Sequence, residues 1–143
     1  MDGREIDAMR IEKQMIRFFV ALDEREFDAM AAVLAESGTW LRAGVLIEGR
    51  QALLDLMAER PVDRRSRHSL SNCLVAFTGE DSAVLTFYST AWVHLGAITE
   101  SFAPMNVPSS ISAYRAEYVL QGGVWLMQKL TSKPAFKRAK VAA

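Results

Sequence analysis

At 143 residues the chain fits one domain, long enough to bury a core without disulfides or a structural metal. Lys plus Arg equals Asp plus Glu at 17 each, so no net field draws it to nucleic acid or an anionic membrane, and a small-molecule partner is expected. Cys73 is the single cysteine, which excludes an internal disulfide and any multi-cysteine zinc site. The apolar runs fall far short of the ~20 residues of a membrane span. Asp2, Arg4, Glu5 and Asp7 arrive before any secretory apolar stretch can form, so a cytoplasmic protein is expected.

In chain order, Ile11, Met15, Phe18, Phe19 and Leu22 follow steps of three and four between Gly3 and Leu22, predicting a helix with one apolar stripe. The break Asp23-Glu24-Arg25-Glu26 leads to a second helical pattern, Phe27, Met30, Ala31, Val33 and Leu34, expected to end near Ser37-Gly38. Thr39 to Arg42 and Val45 to Glu48 read as short strands around Ala43-Gly44. A third helix, Gln51 to Glu59, stops before Pro61. Arg60, Arg64, Arg65 and Arg67 form a basic run expected to be a solvated face. Four long strands follow, about Arg67 to Thr78, Ser82 to Leu95, Ser110 to Gln121 and Val124 to Ser132. Glycine-containing turns at 79–81 and 122–123 predict an antiparallel meander. Between the second and third strands, Gly96 to Ser109 carries Pro104 and Pro108 and is long enough for a lid. The domain is expected over residues 1–133, with 134–143 a basic, flexible tail.

Three helices followed by a meander is an α+β order, in which a curved antiparallel sheet closed by helices makes a cone with an apolar blind end. The residues that suit chemistry gather around Arg65 to Asn72. His68 opens a strand, and histidine is the side chain whose ordinary pKa, roughly 6.5, permits proton transfer both ways near neutrality. Alternation along an unbroken strand places Leu70, Asn72, Leu74 and Ala76 on the face of His68, so Asn72 is a candidate to hold a substrate oxygen. Tyr88, Tyr114 and Tyr118 are the phenols available to polarise a carbonyl, and Trp40 is a candidate for the cavity mouth. His94 lies beside the 96–109 loop, and the spacing of Asp23, His68 and His94 matches no metal motif, so no metal is expected. Strands apolar on both faces, as in Ala83 to Val93, predict a face covered by another copy, in a homodimer or a trimer.

The chain resembles the SnoaL-like, scytalone dehydratase-like branch of the nuclear transport factor 2-like superfamily. The matching features are Phe19-Val-Ala-Leu-Asp23 with Phe27-Asp28, Gly49-Arg50-Gln51-Ala52-Leu53, Arg67-His68 with Ser71-Asn72, and Gly122-Gly123-Val124-Trp125. The resemblance implies a cone-shaped α+β barrel and a pairing of Asp23, at the end of the first helix, with His68. The carboxylate would fix the ring tautomer while the other nitrogen moves a proton. It further implies a cofactor-independent dehydratase, isomerase or cyclase acting on a hydrophobic carbonyl compound. Arg-His-x-x-Ser-Asn is also similar to the small subunits of aromatic-ring-hydroxylating dioxygenases, which would make the chain a non-catalytic binding or structural subunit.

Overall fold

The first helix, α1 (Gly3–Asp23), starts in a capping box. Asp2 accepts from the Glu5 backbone N–H, and the Glu5 side chain accepts from the Asp2 backbone N–H. The computed structural model describes residues 2–140 of the chain. On α1 the stripe read from the sequence is the buried one: Ile11, Met15, Phe18, Phe19 and Leu22. Each such side chain removed from water stabilises the fold by about 1.5–3 kcal/mol before entropy is counted. The helix stops in a Schellman turn. Glu26 N–H donates to Ala21 O and Arg25 N–H to Leu22 O, with Arg25 in the left-handed region at φ 61°. α2 (Phe27–Val33) follows at once.

The next elements are β1 (Leu34–Arg42), β2 (Val45–Glu48), α3 (Gly49–Ala58), β3 (Arg64–Gly79), β4 (Ser82–Leu95), β5 (Ser110–Gln121) and β6 (Val124–Lys137). They make a six-stranded sheet in the order β2-β1-β6-β5-β4-β3. The four long strands form the expected antiparallel meander, but β1 runs parallel to β6, so the sheet is mixed. It is curved and does not close into a barrel, so the cone is an open one. Its curvature lets α1 touch both β3 and β6, which two other strands separate. The core fills the concave side: Phe18, Phe19 and Leu22 from α1 meet Leu85 and Phe87 from β4, Ala116 and Tyr118 from β5, and Met127 and Leu130 from β6.

Three departures from the sequence reading matter for the site. The second helix ends at Val33, and Leu34 to Gly38 belong to β1. The reason is steric at Gly38, where a Cβ would lie 2.7 Å from the Met127 carbonyl oxygen, so β1 approaches β6 more closely than any other residue would permit. In β3 the pairing with β4 slips between Ser71 and Leu74, and Asn72 sits at φ 54° in this bulge. Inward-facing residues are therefore Ser66, His68 and Leu70 before it and Cys73, Val75 and Phe77 after it. The expected flexible tail is a strand as far as Lys137, with Ile111 opposite Phe136, and Arg138 N–H donates to Ser109 O. Residues 141–143 of that tail lie outside the described residues.

Candidate active site

Asp23 is the last residue of α1, and the Schellman turn after it sends the chain away while the carboxylate stays against β3. Arg25 fastens this corner, donating to the carbonyls of Arg60 and Pro61 at 3.1 Å each. A carboxylate at a helix C-terminus faces the negative end of the dipole, so it must draw its stabilisation from donors elsewhere. Strand β3 supplies them from alternate positions. Ser66 Oγ donates to Asp23 Oδ1 at 2.7 Å, His68 Nδ1 lies 2.7 Å from the same oxygen, and His68 backbone N–H donates to Oδ2 at 2.8 Å. Arg60 Nη2 in turn donates to Ser66 Oγ at 2.8 Å.

The Asp23 and His68 side chains are 6% and 12% exposed, so the pair works in a low-dielectric setting where its charge interactions are strong. Burial pushes the Asp23 carboxyl up, but the hydrogen bond and positive charge of His68, with Ser66 and the His68 backbone N–H, outweigh it. The group stays below the usual carboxylate range. A carboxylate can only accept, so Nδ1 of the neutral ring carries the hydrogen and Nε2 keeps its lone pair. The ring rests against Phe19, with centroids 4.9 Å apart.

His68 lines a cavity of about 160 Å³. Around it stand Phe19, Leu22, Trp40, Ala91 and Val93, and then polar groups from five elements or their ends: Arg42, Arg60, Arg64, Ser109, Ser110, Tyr114 and Ser132. Tyr114 stacks on Phe87, with centroids 5.0 Å and planes 12° apart. Burial raises the Tyr114 phenol against the opposing effects of Ser132 and Arg42, so it is a neutral donor at physiological pH.

Of the residues singled out in the sequence, the structure brings Asp23, His68, Tyr114 and Trp40 together. The other three are elsewhere. Asn72 is on the exposed bulge, because the extra residue there reverses the alternation that would have aimed it inward. Tyr88 is 50% exposed on the outer face of β4, being one residue out of phase with Phe87. Tyr118 faces inward but lies in the closed core, 1% exposed, below the cavity rather than on its wall. The basic run is only partly the solvated face expected of it. Arg65 and Arg67 are exposed, whereas Arg60 and Arg64 turn to the cavity and Arg42 joins them from β1. Alternation in β3 was the available signal for Arg64, which shares the phase of Ser66 and His68. Nothing in the sequence set Arg42 beside it.

The 96–109 loop lines the His68 cavity through Ser109 and not through the residues before it. Its residues Ala103 to Asn106 lie with Arg65, Trp92 and His94 around a separate hollow of about 500 Å³ on the outer side of β3 and β4. His94 is thus on the opposite face of the sheet from His68, and no group of three or more His, Cys, Asp or Glu side chains suited to a metal occurs among the described residues.

With this fold and site, residues 7–131 match the model of the SnoaL-like domain, and the chain belongs to that family. Solved structures with the same fold include the hexachlorocyclohexane dehydrochlorinase LinA-type3 from Novosphingobium barchaimii LL02, at 19% identity and TM-score 0.79, with 94% of this chain and 90% of that one covered. A protein of unknown function from Mycobacterium tuberculosis aligns at 20% identity and TM-score 0.76, over 90% of this chain and 76% of that one. An NTF2-like protein with a cystatin-like fold from Novosphingobium aromaticivorans aligns at 18% identity and TM-score 0.74, over 92% and 84%. No curated protein sequence matches.

Proposed function

We propose that this protein is a cofactor-independent lyase or isomerase in which His68 is the acid/base and Asp23 its orienting partner. The observation that carries this reading is the 2.7 Å contact from Asp23 Oδ1 to His68 Nδ1 on a ring whose edge lines the cavity. Nε2 removes a proton from a carbon next to a carbonyl, and the C–H electron pair moves onto the carbonyl oxygen as an enolate. Asp23 balances the imidazolium that results. Tyr114 donates a hydrogen bond to the enolate oxygen. The enolate then collapses with loss of a leaving group from the neighbouring carbon, the imidazolium returning its proton to that group, or takes the proton back at another carbon. The first outcome is elimination and the second isomerisation. Membership of the SnoaL-like family and the dehydrochlorinase among the structural neighbours support an elimination, since loss of hydrogen chloride also takes a proton from carbon.

The experiment is α-proton exchange in D₂O, followed by NMR on a panel of small carbonyl compounds, with the wild type and His68→Ala. Exchange by the wild type that falls at least ~100-fold in the variant, with the fold intact, is the expected result. Equal exchange by both proteins refutes the role of His68.

A second reading, a non-catalytic binding or assembly subunit, is favoured by the outer face of the sheet, where Leu74 and Tyr88 are exposed beside Val84 and Trp92. The two readings are compatible if that face is covered by another copy of the chain, and sedimentation velocity distinguishes a dimer or trimer from a monomer. No helix among the described residues is long and apolar enough to cross a membrane.

A further inference from the structure

Three guanidinium groups, from Arg42, Arg60 and Arg64, line the cavity that holds His68. Among the described residues, none of the three forms an ion pair; the arginines that do are Arg10, Arg67 and Arg115, all on the surface. Among the described residues no carboxylate lines this cavity, and Asp23, whose charge reaches Arg60, is already committed to His68 and Ser66. Arg60 is 8% exposed, and its Nε, like that of Arg64, is buried with no hydrogen-bond partner. Arg42 lies over the Trp40 ring, 5.3 Å from its centroid. Burial, and then repulsion from Arg64 and Arg42, brings the Arg60 guanidinium down to about 10. Arg42 is lowered by burial and by Arg64. In a chain with no net charge, this concentration of unneutralised, partly desolvated cations is a local feature rather than a background of basic residues. A group of opposite charge bound among them would neutralise them in a partly desolvated setting.

We propose that the cavity takes a small carboxylate, its anionic end held by Arg42, Arg60 and Arg64 and its α-carbon turned to His68. Guanidinium groups match carboxylates through two parallel N–H···O bonds, and three of them share the lining of this cavity. Size points the same way. About 160 Å³ is close to the roughly 150 Å³ cavity that takes one benzene, so the ligand is a compact acid rather than a large polycyclic compound. The cations also answer a chemical difficulty. Removing the proton next to a carboxylate builds a second negative charge, which three neighbouring arginines offset. His68 takes the α-proton, the C–H pair becomes a C=C bond as a hydroxyl or halide on the β-carbon departs with its own bonding pair, and the imidazolium proton goes to the departing group. The product is an α,β-unsaturated acid. The binding half of this proposal stands apart from the catalytic reading, whereas the chemical half rests on His68 as acid/base.

The test measures binding of crotonate and benzoate against crotonamide and benzamide, with inorganic phosphate as a further probe, by calorimetry at fixed ionic strength. The proteins are the wild type, Arg42→Gln, Arg64→Gln and His68→Ala, each checked for folding by circular dichroism, with Arg42→Lys and Arg64→Lys replacing any variant that does not fold. Each acid is expected to bind at least ~10-fold more tightly than its amide, and each glutamine variant to lose about that factor for the acid alone. His68→Ala is expected to keep the preference for the acid. Equal binding of acid and amide, unchanged acid binding in both arginine variants, or a preference for phosphate overturns the carboxylate assignment. A His68→Ala protein that keeps the preference but exchanges α-protons at the wild-type rate leaves the anion site standing and removes the acid–base role instead.

Discussion

Replacing Asp23 by Asn removes one charge and one acceptor while keeping the shape of the side chain. Asp23 accepts three hydrogen bonds, two at Oδ1 from Ser66 and the ring of His68 and one at Oδ2 from the His68 backbone N–H. An amide has a single oxygen. Set against Ser66 and the ring, it turns the NH₂ onto the backbone N–H of His68, donor against donor. The flipped amide keeps the backbone bond and donates to Nδ1, which forces the hydrogen of the neutral ring onto Nε2. The flipped form should win, and it places a hydrogen where the proposed base needs a lone pair. Three bonds to a carboxylate, at about 1.5–3 kcal/mol each, give way to neutral ones at about 0.5–1.5, a gross loss of roughly 3 kcal/mol. Relief from burying a charge offsets part of this, so a net destabilisation of about 1–2 kcal/mol is expected. Urea unfolding at pH 7 should show the midpoint lower by roughly 0.5–1 M. Two-bond ¹H–¹⁵N correlation of the imidazole should report the change of tautomer, and activity should fall by ~10³–10⁴, as expected when a base is held in the wrong tautomer. The carboxyl lies below its ordinary 3.8 in the folded protein. Its contribution is therefore complete above pH 3.8 and is lost as pH falls through the folded value, a step that Asp23→Asn should lack. A variant ring that still carries its hydrogen on Nδ1, or a midpoint that does not move, would refute the reasoning.

Two further substitutions probe the cavity wall and the bulge. Arg60→Met removes a buried cation held by one side-chain hydrogen bond to Ser66, so it should leave thermal stability unchanged or raise it by about 1–2 kcal/mol at pH 7; a loss above 2 kcal/mol would contradict this account. At Asn72, φ 54° costs a β-branched residue most, so Asn72→Val should destabilise by about 1–2 kcal/mol in urea unfolding while Asn72→Gly stays within 0.5. If Asn72→Val instead abolished ligand binding at unchanged stability, the side chain would belong to the site after all.

The elements that position the dyad were readable from the sequence because their periodicities are long. The α1 stripe from Ile11 to Leu22 repeats for three turns, and β4 and β5 alternate over a dozen residues each. The reading failed where two patterns overlap or where a pattern shifts phase. Leu34-Ala35 continues the helical spacing of α2 as well as it begins a strand, and only the approach of β1 to β6 at Gly38, almost ninety positions from its partner, decides for the strand. Asn72 was misplaced because one left-handed residue turns every later side chain of β3 to the other face, and asparagine marks such a site only weakly. The arginines were misread because a charge in a loop carries no direction of its own; Arg60 gains one from Ser66, and Arg64 from the register with Leu95.

The parallel seam between β1 and β6 also fixes when the cavity can exist. Trp40, on one wall, lies opposite Leu130, and Ser132 follows two positions later, so that wall is assembled from segments some ninety positions apart in the chain. An emerging polypeptide can form α1 and the early hairpin on the ribosome, but β1 has an unpaired edge until residues 124–137 leave the exit tunnel. Maturation of the pocket then waits on this non-local closure, which is slow, and until it happens an open strand edge is exposed to self-association.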